Sequence, residues 1–261
     1  MEPIGYHVMC RFKDRRVIAP TPEARRLVSR IILEKAVGHR LLALNGADNH
    51  LHQALVEPRS VCGRLVHRIE TSVKAQLKIP VGWDEPLFKP IWNQGHLYHA
   101  FGYILDQEPR HELARDPYHE ATNLSDLLGL RVLGAYTANY VREYLPRISR
   151  VDLLRHLGVE ELVEATGPPS LVVRATLAAS GLQDLTSRDA EGRAARCAAM
   201  EVVGGQVSRT RLAAMLEVDR RTLLRMNGTE ADRKLVRAVK LQLGLRRIKS
   251  PRDVGPFDNM E

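Results

Sequence analysis

An α+β fold, an antiparallel sheet with helices packed on it followed by an all-helical C-terminal region, is predicted by three features of the sequence. Strand-like alternation is confined to the stretch before Pro117, helical spacing is interleaved with it there, and strand signals nearly vanish afterwards. Tyr6-His7-Val8-Met9-Cys10-Arg11-Phe12 mixes apolar and polar residues at near-alternating positions, as a half-buried strand does. Thr21-Pro22-Glu23 then supplies an N-cap and a first-turn proline. Leu27, Val28, Ile31, Ile32 and Lys35 follow at helical spacing, so a helix runs from there to near Gly38.

Residues 41–56 read as two short strands around Asn45-Gly46-Ala47-Asp48, because Asn-Gly favours a tight turn. Ser60 caps a second helix carrying Leu65, Val66, Ile69 and Val73 and closing before Pro80. Residues 82–90 form a loop and Trp92 opens a short strand. A helix over 95–107 follows, with Leu97, Phe101, Ile104 and Leu105 on its apolar side. Beyond Pro117 come short helices at 124–133, 138–144 and 151–163, then Pro168-Pro169. The implied organisation is a sheet-bearing domain over 1–118, a helical connector over 119–169, a helical domain over 170–250 and a tail over 251–261.

With 44% apolar and 27% charged residues, the chain has an ordinary globular composition. No apolar run approaches the roughly 20 residues that span a bilayer, and the N-terminus lacks the pattern of a signal peptide. A cytoplasmic location and no membrane partner are expected. Cys10, Cys62 and Cys197 lack CxxC spacing, which argues against a disulfide framework or a zinc knuckle. A formal charge of +8 favours a polyanionic partner, because Lys and Arg release counterions condensed on phosphates.

The chemistry centres on Asn49-His50-Leu51-His52. Side chains two apart on a strand share a face, so His50 and His52 are placed to hold one metal ion while Leu51 points to the core. On the predicted helix, Tyr103 and Gln107 are four residues apart and share a face, which presents a nucleophile beside an oxygen ligand. Tyr98 is a weaker rival for the nucleophile. His96 and His99 read either as an extra ligand or acid, or as a polar helix face. Arg11, Lys13, Arg15 and Arg16 either track a DNA backbone or decorate a solvated hairpin.

This set, Asn49-His50-Leu51-His52 followed by Tyr103, Ile104 and Gln107, resembles the single-tyrosine HUH transposases, particularly the branch associated with repetitive extragenic palindromes. Tyr6-His7-Val8 with Arg11, Arg15 and Arg16 is similar to the start of those proteins. The sequence departs from the family where Gly46-Ala47-Asp48-Asn49 replaces the frequent Met-Pro-Asn approach to the first histidine, and where Pro109 stands one place late. The resemblance implies an HUH core of ferredoxin-like type. It further implies Mg²⁺ or Mn²⁺ on His50, His52 and Gln107, and attack by Tyr103 on single-stranded or hairpin DNA to give a 5′-phosphotyrosine. A homodimer located with the nucleoid is part of the same expectation.

Residues 206–226 have the layout of a helix-turn-helix. Ser208 caps a first helix whose Leu212, Ala213 and Leu216 face inward, and Val218 sits in the turn. Asp219 caps a second helix that projects Arg220, Arg221, Thr222 and Arg225 toward DNA. Lys234, Arg237, Lys240, Arg246, Arg247 and Lys249 extend the positive charge. Two other readings stay open: a non-catalytic DNA-binding regulator that relies on the helix-turn-helix, and an unrelated metal-dependent phosphoesterase in which Tyr103 is incidental.

Overall fold

The computed structural model describes residues 2–107 and 115–248; Pro109, Lys249 and the 251–261 tail lie outside the described residues. The chain divides into two compact units, one of residues 1–128 and 134–158, the other of 129–133 and 159–261. No described helix is long and apolar enough to cross a membrane.

The first unit is α+β. Its chain order is β1 (Gly5–Cys10), α1 (Pro22–Lys35), β2 (Leu41–Ala47), β3 (His50–Leu55), α2 (Arg59–Gln76), β4 (Leu87–Ile91) and α3 (Gln94–Leu105). The four strands make one antiparallel sheet in the order β2-β3-β1-β4. Thr21 accepts from the Ala24 N–H and Pro22 occupies the first turn, so α1 starts where its capping residues dictate. Val28, Ile31 and Ile32 of α1, with Leu65, Val66, Ile69 and Val73 of α2, are buried, as their spacing requires.

Register assigns the two faces of the sheet. Met9, His52 and Asn45 are level across β1, β3 and β2, as are Cys10, Leu51 and Gly46 one step along. Neighbouring positions alternate between faces, so the first trio and the second face opposite ways. Asn45 Nδ2 donates to the Ile104 carbonyl at 2.9 Å, which lays α3 over the histidine face. Glu70 of α2 bonds the Cys10 thiol on the other face.

Three local expectations are corrected. The β2–β3 turn falls at Asp48-Asn49, with Asp48 at φ 51°, and not at Asn45-Gly46. Tertiary contacts overrule the turn propensity here. Asn45 is spent on α3, and the Gly46 N–H donates to the Ala121 carbonyl at 2.7 Å. A Cβ on Gly46 would lie 3.0 Å from that of Ala121, so the close approach needs glycine. The fourth strand covers Leu87–Ile91 and ends before Trp92, because an outer strand tolerates Pro90. Helix α2 opens at Arg59 with Pro58 at its cap position, one residue ahead of Ser60.

The segment expected to act as a connector is split between the units. Up to residue 158, apart from 129–133, it belongs to the first unit: α5 (Thr137–Tyr144) packs on β2, and α4 (Leu124–Leu127) packs against both α5 and α6 (Arg150–Leu157). Asn123 explains why. Its Oδ1 accepts from Leu44 N–H at 2.8 Å and its Nδ2 donates to Leu42 O at 3.1 Å, while Thr122 Oγ1 donates to Leu44 O at 2.9 Å. These bonds seal the outer edge of β2. The helix expected over 124–133 stops before Gly129, at φ 78°, and the one expected over 151–163 stops at Gly158, at φ 76°. Both glycines adopt the left-handed conformation that ends helices.

The second unit is helical: α7 (Pro169–Ser180), α8 (Ala190–Val203), α9 (Arg209–Met215), α10 (Arg220–Met226) and α11 (Arg233–Ile248). Its core is built from small residues, Ala175, Ala179, Ala195, Ala198, Ala199 and Ala238, alongside Val172, Val202, Val239 and Leu235. Such side chains let helices approach closely. At Gly244 an added Cβ would lie 1.8 Å from the Val163 carbonyl oxygen, a position only glycine fills.

Candidate active site

Two elements far apart in sequence meet on the histidine face of the sheet. His50 and His52 share that face of β3, with ring centroids 5.8 Å apart. The Tyr103 ring of α3 stands edge-on to His52 at 6.1 Å, and the residue is 37% exposed. The sequence-predicted nucleophile therefore neighbours His52, which in turn neighbours His50.

A third imidazole joins them. His7 of β1 sits diagonally from His52, opposite Ala54 in the register. Its Nε2 lies 3.0 Å from His52 Nδ1, and its ring is edge-on to Tyr103 at 5.5 Å. Burial holds His7 well below the ordinary histidine range, at about 4, and the nearby Lys89 and His96 act in the same direction. Its position in Tyr6-His7-Val8 gave it a place in a strand and in the opening motif of the resemblance, but no role in the site. Which strand would lie beside β1, and in what register, is a long-range fact that the local pattern does not carry.

Gln107 is 1% exposed, and its Nε2 donates to the Tyr103 carbonyl at 2.5 Å. Its side-chain oxygen is a donor of the type a hard cation takes. Asp106, next to it, accepts from Arg115 NH2 at 2.9 Å and lies 2.9 Å from His156 Nδ1, anchoring the end of α3. Among the described residues no group of three or more His, Cys, Asp or Glu is arranged to hold a metal ion. A cation here would rest on the imidazoles of His50 and His52 and the amide oxygen of Gln107, a donor set whose chemistry fits Mg²⁺ or Mn²⁺ with open positions left for phosphate.

The rival tyrosine is engaged elsewhere, since Tyr98 Oη accepts from the Arg147 backbone N–H at 2.8 Å. His96 is exposed and its Nδ1 lies 3.5 Å from the Trp92 backbone nitrogen, while His99 is exposed on the same helix.

The N-terminal basic cluster is divided. Arg11 pairs with Asp84 at 3.1 Å and Arg16 with Asp14 at 2.7 Å. Lys13 and Arg15 are exposed and make no ion pair among the described residues. The Arg15 carbonyl accepts from Asn49 Nδ2 at 3.1 Å, which ties this loop to the turn leading into His50.

In the second unit α9 and α10 are joined by a four-residue turn in which Glu217 takes φ 54°. Ser208 and Asp219 cap them as expected. Leu212, Ala213, Leu216, Leu223 and Met226 are buried, and Arg220, Arg221 and Arg225 are exposed. Thr222 also completes the cap, its hydroxyl donating to Asp219 Oδ2 at 2.8 Å.

No family model matches the sequence, and no curated protein and no solved structure matches it.

Proposed function

We propose that this protein is a metal-dependent tyrosine transposase that cleaves and rejoins single-stranded DNA, at hairpin or palindromic sequences, through a 5′-phosphotyrosine. The observation that carries the reading is the meeting of His50, His52 and Tyr103, contributed by β3 and α3, on one face of the sheet. The β1-α1-β2-β3-α2-β4 order with strands arranged 2-3-1-4 supports a ferredoxin-like core of the HUH type. The pair α9 and α10 is taken as a helix-turn-helix that adds duplex affinity through Arg220, Arg221 and Arg225.

His50, His52 and Gln107 would hold Mg²⁺ or Mn²⁺, which when bound withdraws charge from the scissile phosphate. Tyr103 Oη attacks phosphorus. The Tyr103 Oη–P bond forms as the P–O3′ bond breaks, the phenolic proton passes to solvent, and the departing 3′ oxygen takes up a proton. The bond energy is conserved in the ester, so a 3′-hydroxyl can reverse the step and reseal DNA. Neutral ligands make cation binding dependent on the charge that DNA brings, and Lys13 and Arg15 are placed on the loop tied to the His50 turn. A dimer, located with the nucleoid, belongs to the same proposal.

The test is incubation of a labelled hairpin oligonucleotide with protein and Mg²⁺ or Mn²⁺, followed by denaturing electrophoresis. A covalent protein–DNA adduct is expected, absent in Tyr103→Phe and at least about 100-fold weaker in His50→Ala. Cleavage without an adduct would identify a phosphoesterase, and binding without cleavage a regulator.

A further inference from the structure

We infer that the open part of the sheet beside α3 is a track for single-stranded DNA, on which Trp92 stacks a base and Lys89 holds a phosphate of the strand presented to Tyr103. The inference rests on the reading given above for its class of ligand. Its ground is a run of exposed side chains that continues from Tyr103 along α3 and onto β4.

Register sets the floor of this track. Leu87 stands level with Met9 and His52, and Lys89 with His7 and Ala54, so Leu87 and Lys89 lie on the histidine face. Helix α3 runs from the end of β4 to Asn45 of β2. Beside it Leu87 is 44% exposed, Lys89 is exposed and Met9 is half-buried. An apolar side chain and a cation thus face solvent on the same surface as the proposed site.

One stripe of α3 forms the wall. His96, His99 and Tyr103 follow at steps of three and four and share a helix face; all are exposed, while Leu97, Ala100, Phe101 and Ile104 are buried. Wall and floor meet at His7, whose ring is 5.5 Å from that of Tyr103 and which Lys89 and His96 are both near enough to influence. Trp92 stands at the head of the stripe. Its backbone nitrogen lies 3.5 Å from His96 Nδ1, and the residue is 44% exposed. From His96 to Tyr103 the helix rises about 10 Å, a length that a few nucleotides cover. These residue types suit a single strand: indole and leucine offer surface to unpaired bases, while lysine and imidazole N–H groups suit phosphates. None of these contacts reads a base edge, so the track selects for strandedness and not for sequence.

The test is binding of a single-stranded oligothymidylate to the full chain without divalent metal, so that no cleavage is required. The unaltered protein should bind it with quenching of indole emission. Trp92→Ala should weaken binding about 5- to 100-fold, and Trp92→Phe should keep most of the affinity but lose the quenching. Lys89→Gln should reduce the slope of log affinity against log salt by about 0.7. Affinity for a duplex of equal length, given above to α10, should be the same in all three variants. Unchanged oligothymidylate affinity in Trp92→Ala overturns the inference, as does quenching that survives Trp92→Phe. So does sedimentation showing that these substitutions split a dimer and leave DNA binding intact, which would give the surface to a second copy of the chain. If no covalent adduct forms with any strand and the binding losses are nevertheless seen, the catalytic reading fails and the track stands.

Discussion

Around the sheet, His7, Asn45, His52 and Asn123 are built into the packing of the first unit, each 8% exposed or less. In the helical unit the candidate contacts Arg220, Arg221 and Arg225 stand on the surface, over a core of alanine, valine and leucine. Buried polar groups must be bonded to be tolerated, so in the first unit the residues that organise the site also hold the fold. Surface arginines carry no such double duty. Loss of function through misfolding should therefore follow substitutions near the sheet much more often than substitutions on α10.

This contrast between the units is broken most directly at Asn123. Asn123→Ala strands the Leu44 N–H and the Leu42 carbonyl, and is expected to lower unfolding free energy by about 2–4 kcal/mol in urea titrations. A loss below about 0.5 kcal/mol would mean that buried polar bonds do not hold this unit together.

An intermediate effect is expected at Glu70, whose carboxyl is raised by burial to about 7. The folded state thus keeps a proton that the unfolded chain releases near pH 4.5, and stability declines as pH rises between those values. Glu70→Gln removes this dependence. The variant should match the unaltered protein at pH 4 and exceed it by on the order of 1–3 kcal/mol at pH 8, as followed by thermal melts at both pH values.

The smallest effect on stability belongs to α10. Arg220→Ala and Arg225→Ala should leave unfolding free energy within about 0.5 kcal/mol of the original. Titrations of duplex DNA at several salt concentrations should nevertheless show the slope of log affinity against log salt reduced by about 1 for each. A large loss of stability in either variant would erase the distinction between the units.

How much of this was legible in the sequence depends on the range of the forces involved. Local signals sufficed for the start of α1, marked by Thr21 and Pro22, and for the apolar side of α3, made by Leu97, Phe101 and Ile104, but not for its end: α3 stops at Leu105 and leaves Gln107 beyond the helix expected to carry it. The α+β class and the pairing of His50 with His52 follow from periodicity alone. Where a partner from elsewhere in the chain intervened, local reading failed. Asn45-Gly46 became strand because α3 and Ala121 claim it, and residues 119–128 joined the sheet through Asn123. His7 was missed for the same reason: it matters through its diagonal neighbour on β3, and nothing within β1 names that neighbour.

The sealing of β2 by residues 121–123 has a consequence for association. With one border of the sheet already spoken for, the border left for backbone pairing with another chain, among the described residues, is that of β4, the strand that ends the other side. Each copy can then accept one neighbour by that route, and two copies joined strand to strand leave no free border for a third. Assembly by strand addition terminates at a pair and cannot propagate into a fibre.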